Sequence, residues 1–208
     1  MQRTLQRAFR RAQLPLAYSK GFNPHPKLSF ATALATGYTS DSEWIEVELE
    51  QPIELSAFAS RVNAVLPDGM RIVDAFVAGD SIDTLSKLII AARYELTVHF
   101  ETSVPTETVK DAVQTIMESK ELIVDKKTKS GVKPTDIRPD ILEAYVKDAS
   151  EDTAIIDVVG SLTAAGGLRA ESFVRVLFDR LHLNGYFTAH RVSLYFTGSG
   201  SERLPRLN

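Results

Sequence analysis

The chain has 208 residues, is 44% apolar, contains no cysteine and carries 24 Lys and Arg against 27 Asp and Glu. That length can bury one large core or two small ones, and the missing thiols exclude a disulfide framework, a thiolate zinc site and an iron–sulfur cluster held by this chain. Charge is polarised: the first forty residues hold Arg3, Arg7, Arg10, Arg11, Lys20 and Lys27 and no acid, which leaves 18 basic against 27 acidic residues in the remainder.

A basic end on an acidic body favours a local anionic partner, nucleic acid or phosphate; the plainer alternative is a solvated helix face. No apolar run approaches the roughly 20 residues that a helix needs to cross a bilayer. The amino-terminal stretch lacks the apolar centre of a signal peptide, so a cytoplasmic protein is expected.

Residues 2–13 place Leu5, Ala8, Phe9 and Ala12 at i, i+3, i+4 and i+7, with the arginines off that stripe; this predicts an amphipathic helix, ended by Pro15. Residues 19–26 contain two prolines and a glycine and read as a loop, followed by a β-like run over 27–34. Residues 44–50 alternate strictly, with Ile45, Val47 and Leu49 on one side and Trp44, Glu46, Glu48 and Glu50 on the other, as a half-buried strand does. Residues 54–66 have helical spacing and stop at Pro67, and 70–77 return to strand character.

After a connector near 79–91, the order repeats with an extra strand in front: strand 94–100, helix 106–119, strands 137–146 and 154–162, helix 170–183 and strand 189–196. That is β-α-β-β-α-β, the split-βαβ or ferredoxin-like unit. The first half is the same unit without its opening strand. The expectation is an α+β protein of two tandem ferredoxin-like domains, 1–80 and 92–198, the first lacking a strand that would lie upstream of Met1.

The run RTLQRAFRRAQLPLAYSKGFNPHPKLSF, residues 3–30, resembles the signature of the radical SAM-linked family of bacteria: a basic helix, a Leu-Pro break, then a Y-S-x-G-F-N-P-H-P-K-x-S-F loop. Weaker echoes fall at 44–49, 91–94, 136–139 and 190–195. In that family a strand and a Ser-His-Leu-Asp turn precede the helix, whereas this sequence opens at the helix, so half of a site is expected upstream. The resemblance implies a companion of a radical SAM protein with a cobalamin-binding region, acting in RNA or cofactor modification; with no thiol to hold a cluster, the chain itself is expected to carry no cofactor. The repeat-processing endoribonucleases of CRISPR systems offer a looser architectural analogy.

The loop 18–27 concentrates Tyr18, Lys20, Asn23, His25 and Lys27, and Pro24 and Pro26 restrict the backbone on both sides of the imidazole. Three readings stay open. Arg7, Arg10, Arg11, Lys20, Asn23, His25 and Lys27 could hold RNA or phosphate, with Phe22 or Tyr18 stacking on a base. His25 and Tyr18 could serve as acid and base in metal-free RNA cleavage, with Lys27 stabilising the phosphorane. Alternatively, Asn23 and His25 satisfy backbone groups of a tight turn.

Elsewhere, His99, His182 and His190 have no metal-ligand spacing, so no metal is expected. Ala164–Arg169 reads as a plain connection before a phosphate turn, and 136–139 (DIRP) as a local salt bridge.

Overall fold

The computed structural model describes residues 1–79, 83–128, 131–163, 166–198 and 204–207. In the amino-terminal half, α1 (Gln2–Arg11) packs on α2 (Leu55–Asn63) and on a two-stranded antiparallel sheet of β1 (Leu28–Phe30) and β3 (Ile45–Val47). Leu5, Phe9, Phe58 and Val62 form its core, with the Phe9 and Phe58 ring centroids 5.9 Å apart. These are the apolar positions of the two helical repeats, so the amphipathic pattern buries the face it marks.

Helix α1 ends in a Schellman motif. Gln13 takes a left-handed φ of 54°, its N–H reaches Arg10 O at 3.0 Å, and Leu14 N–H reaches Phe9 O at 3.1 Å. Arg61 of α2 completes the cap by donating from Nε to Ala12 O at 2.9 Å and from Nη2 to Gln13 O. Pro15 lies just beyond, where it cannot continue the helix.

The carboxyl-terminal half is built on β4 (Ile89–Phe100), which lies antiparallel to both β8 (Thr153–Thr163) and β10 (Gly185–Phe196), with β7 (Ile141–Ala149) outside β8. The spatial order is β10-β4-β8-β7, and α4 (Thr106–Glu118) and α5 (Ala170–Leu181) pack on one face. Leu96, Ile116, Ile156, Phe173, Leu177, Leu194 and Phe196 are fully buried between them; each contributes about 1.5–3 kcal/mol by removal from water. A two-residue strand, β2 (Thr39–Ser40), runs parallel to β10 at its outer edge and ties the halves together. The family of folds is mixed α+β.

Several details differ from the sequence expectations. Residues 70–77, expected as the closing strand of the first half, form no strand, because no strand edge lies beside them to pair with. A β-hairpin of β5 (Ile123–Thr128) and β6 (Gly131–Asp136), a short helix α3 (Leu85–Leu88) and the bridge strand β2 were not anticipated. Strand β4 begins at Ile89, inside the expected connector.

At 136–139 there is no Asp136–Arg138 ion pair. Asp136 Oδ1 accepts from the backbone N–H of Leu122 (2.8 Å) and Arg138 (2.9 Å), while Arg138 donates to Met117 O and Ile141 O, both at 2.7 Å. The side chains cap backbone groups, where an unpaired carbonyl or amide would cost more than an exposed ion pair contributes.

Ala164 and Ala165 lie outside the described residues. The following Gly166–Gly167 form β9, paired to the end of β8. A Cβ at Gly167 would meet the Ser161 carbonyl, so this turn is fitted to the sheet.

Candidate RNA and phosphate face

The burial of Leu5, Ala8, Phe9 and Ala12 turns the other side of α1 outward, and Arg3, Arg7, Arg10 and Arg11 are all exposed there. At 100° per residue the four fall within one 100°-wide stripe opposite the apolar one, and Arg3, Arg7 and Arg11 are successive i, i+4 neighbours. Such like-charge neighbours repel by a few tenths of a kcal/mol per pair. Among the described residues none of the four arginines has a carboxylate partner; Arg10 Nε donates to Gln6 O at 3.3 Å. In particular, no described acid of the carboxyl-terminal half neutralises them.

The loop after α1 is closed at its base by a bridge between Tyr18 and Pro26. Ser19 then takes both backbone groups of His25: Ser19 N–H donates to His25 O at 2.8 Å, and His25 N–H donates to Ser19 Oγ at 3.0 Å. This answers the plain reading of the loop with a correction. The turn is satisfied by Ser19, and the Asn23 and His25 side chains, both exposed, make no hydrogen bond among the described residues. Gly21, at φ 128°, supplies the conformation an L side chain would resist.

Lys20, Phe22, Asn23 and His25 therefore project from a closed, proline-braced loop, and the Phe22 ring is fully exposed. Lys20 has no acidic partner among the described residues, whereas Lys27 Nζ pairs with Glu48 Oε1 at 2.8 Å. Both members of that pair are about half exposed, so it contributes under about 1 kcal/mol. Tyr18 is 40% exposed. Among the described residues no carboxylate pairs with the His25 ring.

The other histidines are accounted for structurally. His99 stacks on Tyr186 with centroids 4.5 Å apart, and His182 is the left-handed cap residue of α5. His190 bridges Thr39 Oγ1 at 2.8 Å and Asp41 Oδ2 at 3.0 Å, beside the β2–β10 pairing. No group of three or more His, Asp and Glu among the described residues could hold a metal, and no helix among them is long and apolar enough to cross a membrane.

Among solved structures, the chain is similar to one in the crystal structure of a Cbf5-Nop10-Gar1 complex, at a TM-score of 0.55 and 11% identity, over 93% of this chain and 44% of that one. At that identity the likeness is one of fold, and the chain spans less than half of its structural neighbour. No curated protein matches its sequence. Residues 1–169 match the profile of DUF2344, described as an uncharacterized protein conserved in bacteria, and the chain belongs to that family.

Proposed function

We propose that the chain is a binding module that presents RNA, or another phosphate-bearing substrate, to a radical SAM partner. The observation that carries the RNA half of this reading is the row of exposed arginines on α1 without acidic partners. A row of like charges destabilises its helix slightly and gains only when an anion neutralises it. Lys20 and, after exchange from Glu48, Lys27 extend the charge into the loop, and the exposed Phe22 ring offers a stacking surface for an unpaired base. Phosphate contacts of this kind position a strand, and the side chains of Asn23 and His25 are the groups able to read base edges.

The partner half rests on the resemblance of residues 3–30 to radical SAM-linked proteins. It agrees with a chain that has no cysteine and so cannot itself hold the cluster such chemistry uses. Tandem split-βαβ units are the finer architecture we propose for it: the strand order β10-β4-β8-β7 with α4 and α5 on one face supports the second unit, and the order α1, β1, β3, α2 supports the first.

The test is ultraviolet crosslinking and capture from cells kept anaerobic, followed by sequencing of bound RNA and identification of co-captured protein. A defined RNA species crosslinked to the peptide 14–27, with a radical SAM protein in the same fraction, supports the reading. Capture of the partner with no crosslinked RNA leaves a protein adaptor and refutes the RNA role.

A further inference from the structure

The carboxyl-terminal sheet has two edges. One is β10, whose outer side carries β2; the other is β7, and no described strand pairs with its outer side. The bonds across β8 fix which groups that edge offers. Phe100 N–H donates to Asp152 O at 2.8 Å on the β4 side, and Ser150 N–H donates to Thr153 O at 2.8 Å on the β7 side. Alternate residues of a strand direct their backbone groups to opposite neighbours, so Asp157 and Val159 of β8 face β7. Their partners there are Tyr145 and Glu143. The N–H and C=O groups of Ala144 and Val146 therefore point outward, and none of them has a partner among the described residues.

Glu143, Tyr145 and Lys147 share the face of the sheet that carries no helix. Arg93 Nη2 lies 4.0 Å from Glu143 Oε2 and donates to Tyr145 Oη at 3.3 Å, and Lys147 Nζ donates to Glu95 Oε2 at 2.7 Å. All three residues stay exposed, Tyr145 at 42%. The strand thus presents an acid, an aromatic and a base at even spacing along one face, beside an open backbone edge.

That order is self-complementary. When two copies of β7 are laid antiparallel about a twofold axis through Tyr145, Ala144 of each copy meets Val146 of the other, and their outward groups close four backbone hydrogen bonds. Glu143 of each copy falls opposite Lys147 of the other, in the type of pair where side chains lie closest, and the two Tyr145 rings meet on the axis. Lys147 then sits between its own Glu95 and the second copy's Glu143. A slip of two residues either way puts Glu143 opposite Tyr145 or Ala149 and leaves Lys147 without an acid across the seam. A slip of one residue sets outward groups against inward ones.

We infer that β7 is a homodimer edge: a second copy of this chain pairs with it antiparallel through Ala144 and Val146 and joins the two sheets into one. The contact is isologous, so it closes at two copies. An exposed strand edge left bare is a template for open-ended pairing. The inference does not rest on the RNA reading, since α1 and the loop 18–27 belong to the other half of the chain.

Sedimentation of the full chain across a range of concentrations tests it. Wild type should show a monomer–dimer equilibrium. Glu143→Lys and Lys147→Glu should each raise the dissociation constant at least tenfold, because like charges then stand opposite each other in both cross-pairs. An equimolar mixture of these two variants should dimerise again, since every cross-pair is once more Lys against Glu. Ala144→Pro removes an outward N–H that the monomer does not use, so it should abolish the dimer and leave the circular dichroism spectrum unchanged. A monomer at every concentration would overturn the inference and leave the edge to a strand of another protein. A dimer indifferent to Ala144→Pro, or charge variants whose mixture stays monomeric, would overturn it as well.

Discussion

Arg191 of β10 is joined to Glu43 by two hydrogen bonds, from Nη1 to the two carboxylate oxygens at 2.9 and 3.1 Å, and this pair fastens one half of the molecule to the other. Arg191 is 3% exposed, its guanidinium lies 5.5 Å from the Tyr94 ring centroid, and Nη2 also donates to Ala33 O at 3.0 Å. Residues 33–43 are thus held across the edge of β10, directly before β3. Losing one member of a buried pair leaves the other charge uncompensated, at a cost of about 3–5 kcal/mol.

Glu43→Gln should therefore lower stability by about 3 kcal/mol, the low end of that range because the carboxylate keeps some solvent contact. That is roughly 6–12 °C in Tm for a chain of this size. Glu43→Leu combined with Arg191→Met should recover much of the loss. Thermal melts of the three proteins decide it, and a double variant as unstable as the single one would contradict the account.

Gln13 offers a test of opposite sign. Its left-handed φ of 54° closes the Schellman motif of α1, where a residue with a Cβ costs roughly 1–2 kcal/mol. Gln13→Gly should raise stability by about 1 kcal/mol, or roughly 2–4 °C in Tm. A fall in Tm would mean that the Gln13 side chain makes a stabilising contact that outweighs the strain.

Asp136 predicts a pH dependence. The backbone N–H groups of Leu122 and then Arg138 hold its carboxylate below the usual range. A lowered folded value means that its stabilisation is complete above the unfolded value of about 3.9 and is lost as pH falls through the folded one. The Tm difference between wild type and Asp136→Asn should be constant near neutral pH and shrink toward zero in acid. A difference that grows as pH falls would have the wrong sign.

Much of the fold was legible where a periodic pattern coincided with burial. Leu5 and Phe9 fall on the helical stripe of residues 2–13 and are core residues, as are Val109 and Val113 of α4 and Phe173 and Leu177 of α5 at the same i, i+4 spacing. The β5–β6 hairpin escaped because the run from Lys126 to Lys133 has no apolar alternation in sequence. Residues 70–77 show the converse: MRIVDAFV has strand composition, but strand formation needs an adjacent edge.

At the candidate site, composition alone picked out the exposed arginines and Phe22. It missed Ser19, whose hydroxyl closes the loop, and Glu48, which follows β3 and pairs with Lys27 from 21 residues away. Only the Ser19-to-His25 turn could have been suspected, from the tendency of serine to bond nearby backbone.

His25 separates binding from catalysis. Its exposed ring is placed to read a base edge, so His25→Ala should lower the preference for one RNA sequence, leave the salt slope of affinity unchanged and reveal no lost activity. Incubation of labelled RNA in EDTA checks this. Cleavage by wild type that vanishes in the variant, a loss of roughly 10²- to 10⁴-fold in rate, would make the protein a metal-independent endoribonuclease.

The most direct measurement is the salt dependence of RNA affinity, compared between wild type and the triple variant Arg3→Ala, Arg7→Ala, Arg11→Ala. If each arginine of the α1 row neutralises one phosphate, the slope of log K against log salt should fall in magnitude by about two units in the variant, near 0.7 per contact for single strands. Stability should change little, because the three side chains are exposed. A wild-type affinity indifferent to salt, or an unchanged slope in the variant, would contradict the claim that this face binds nucleic acid.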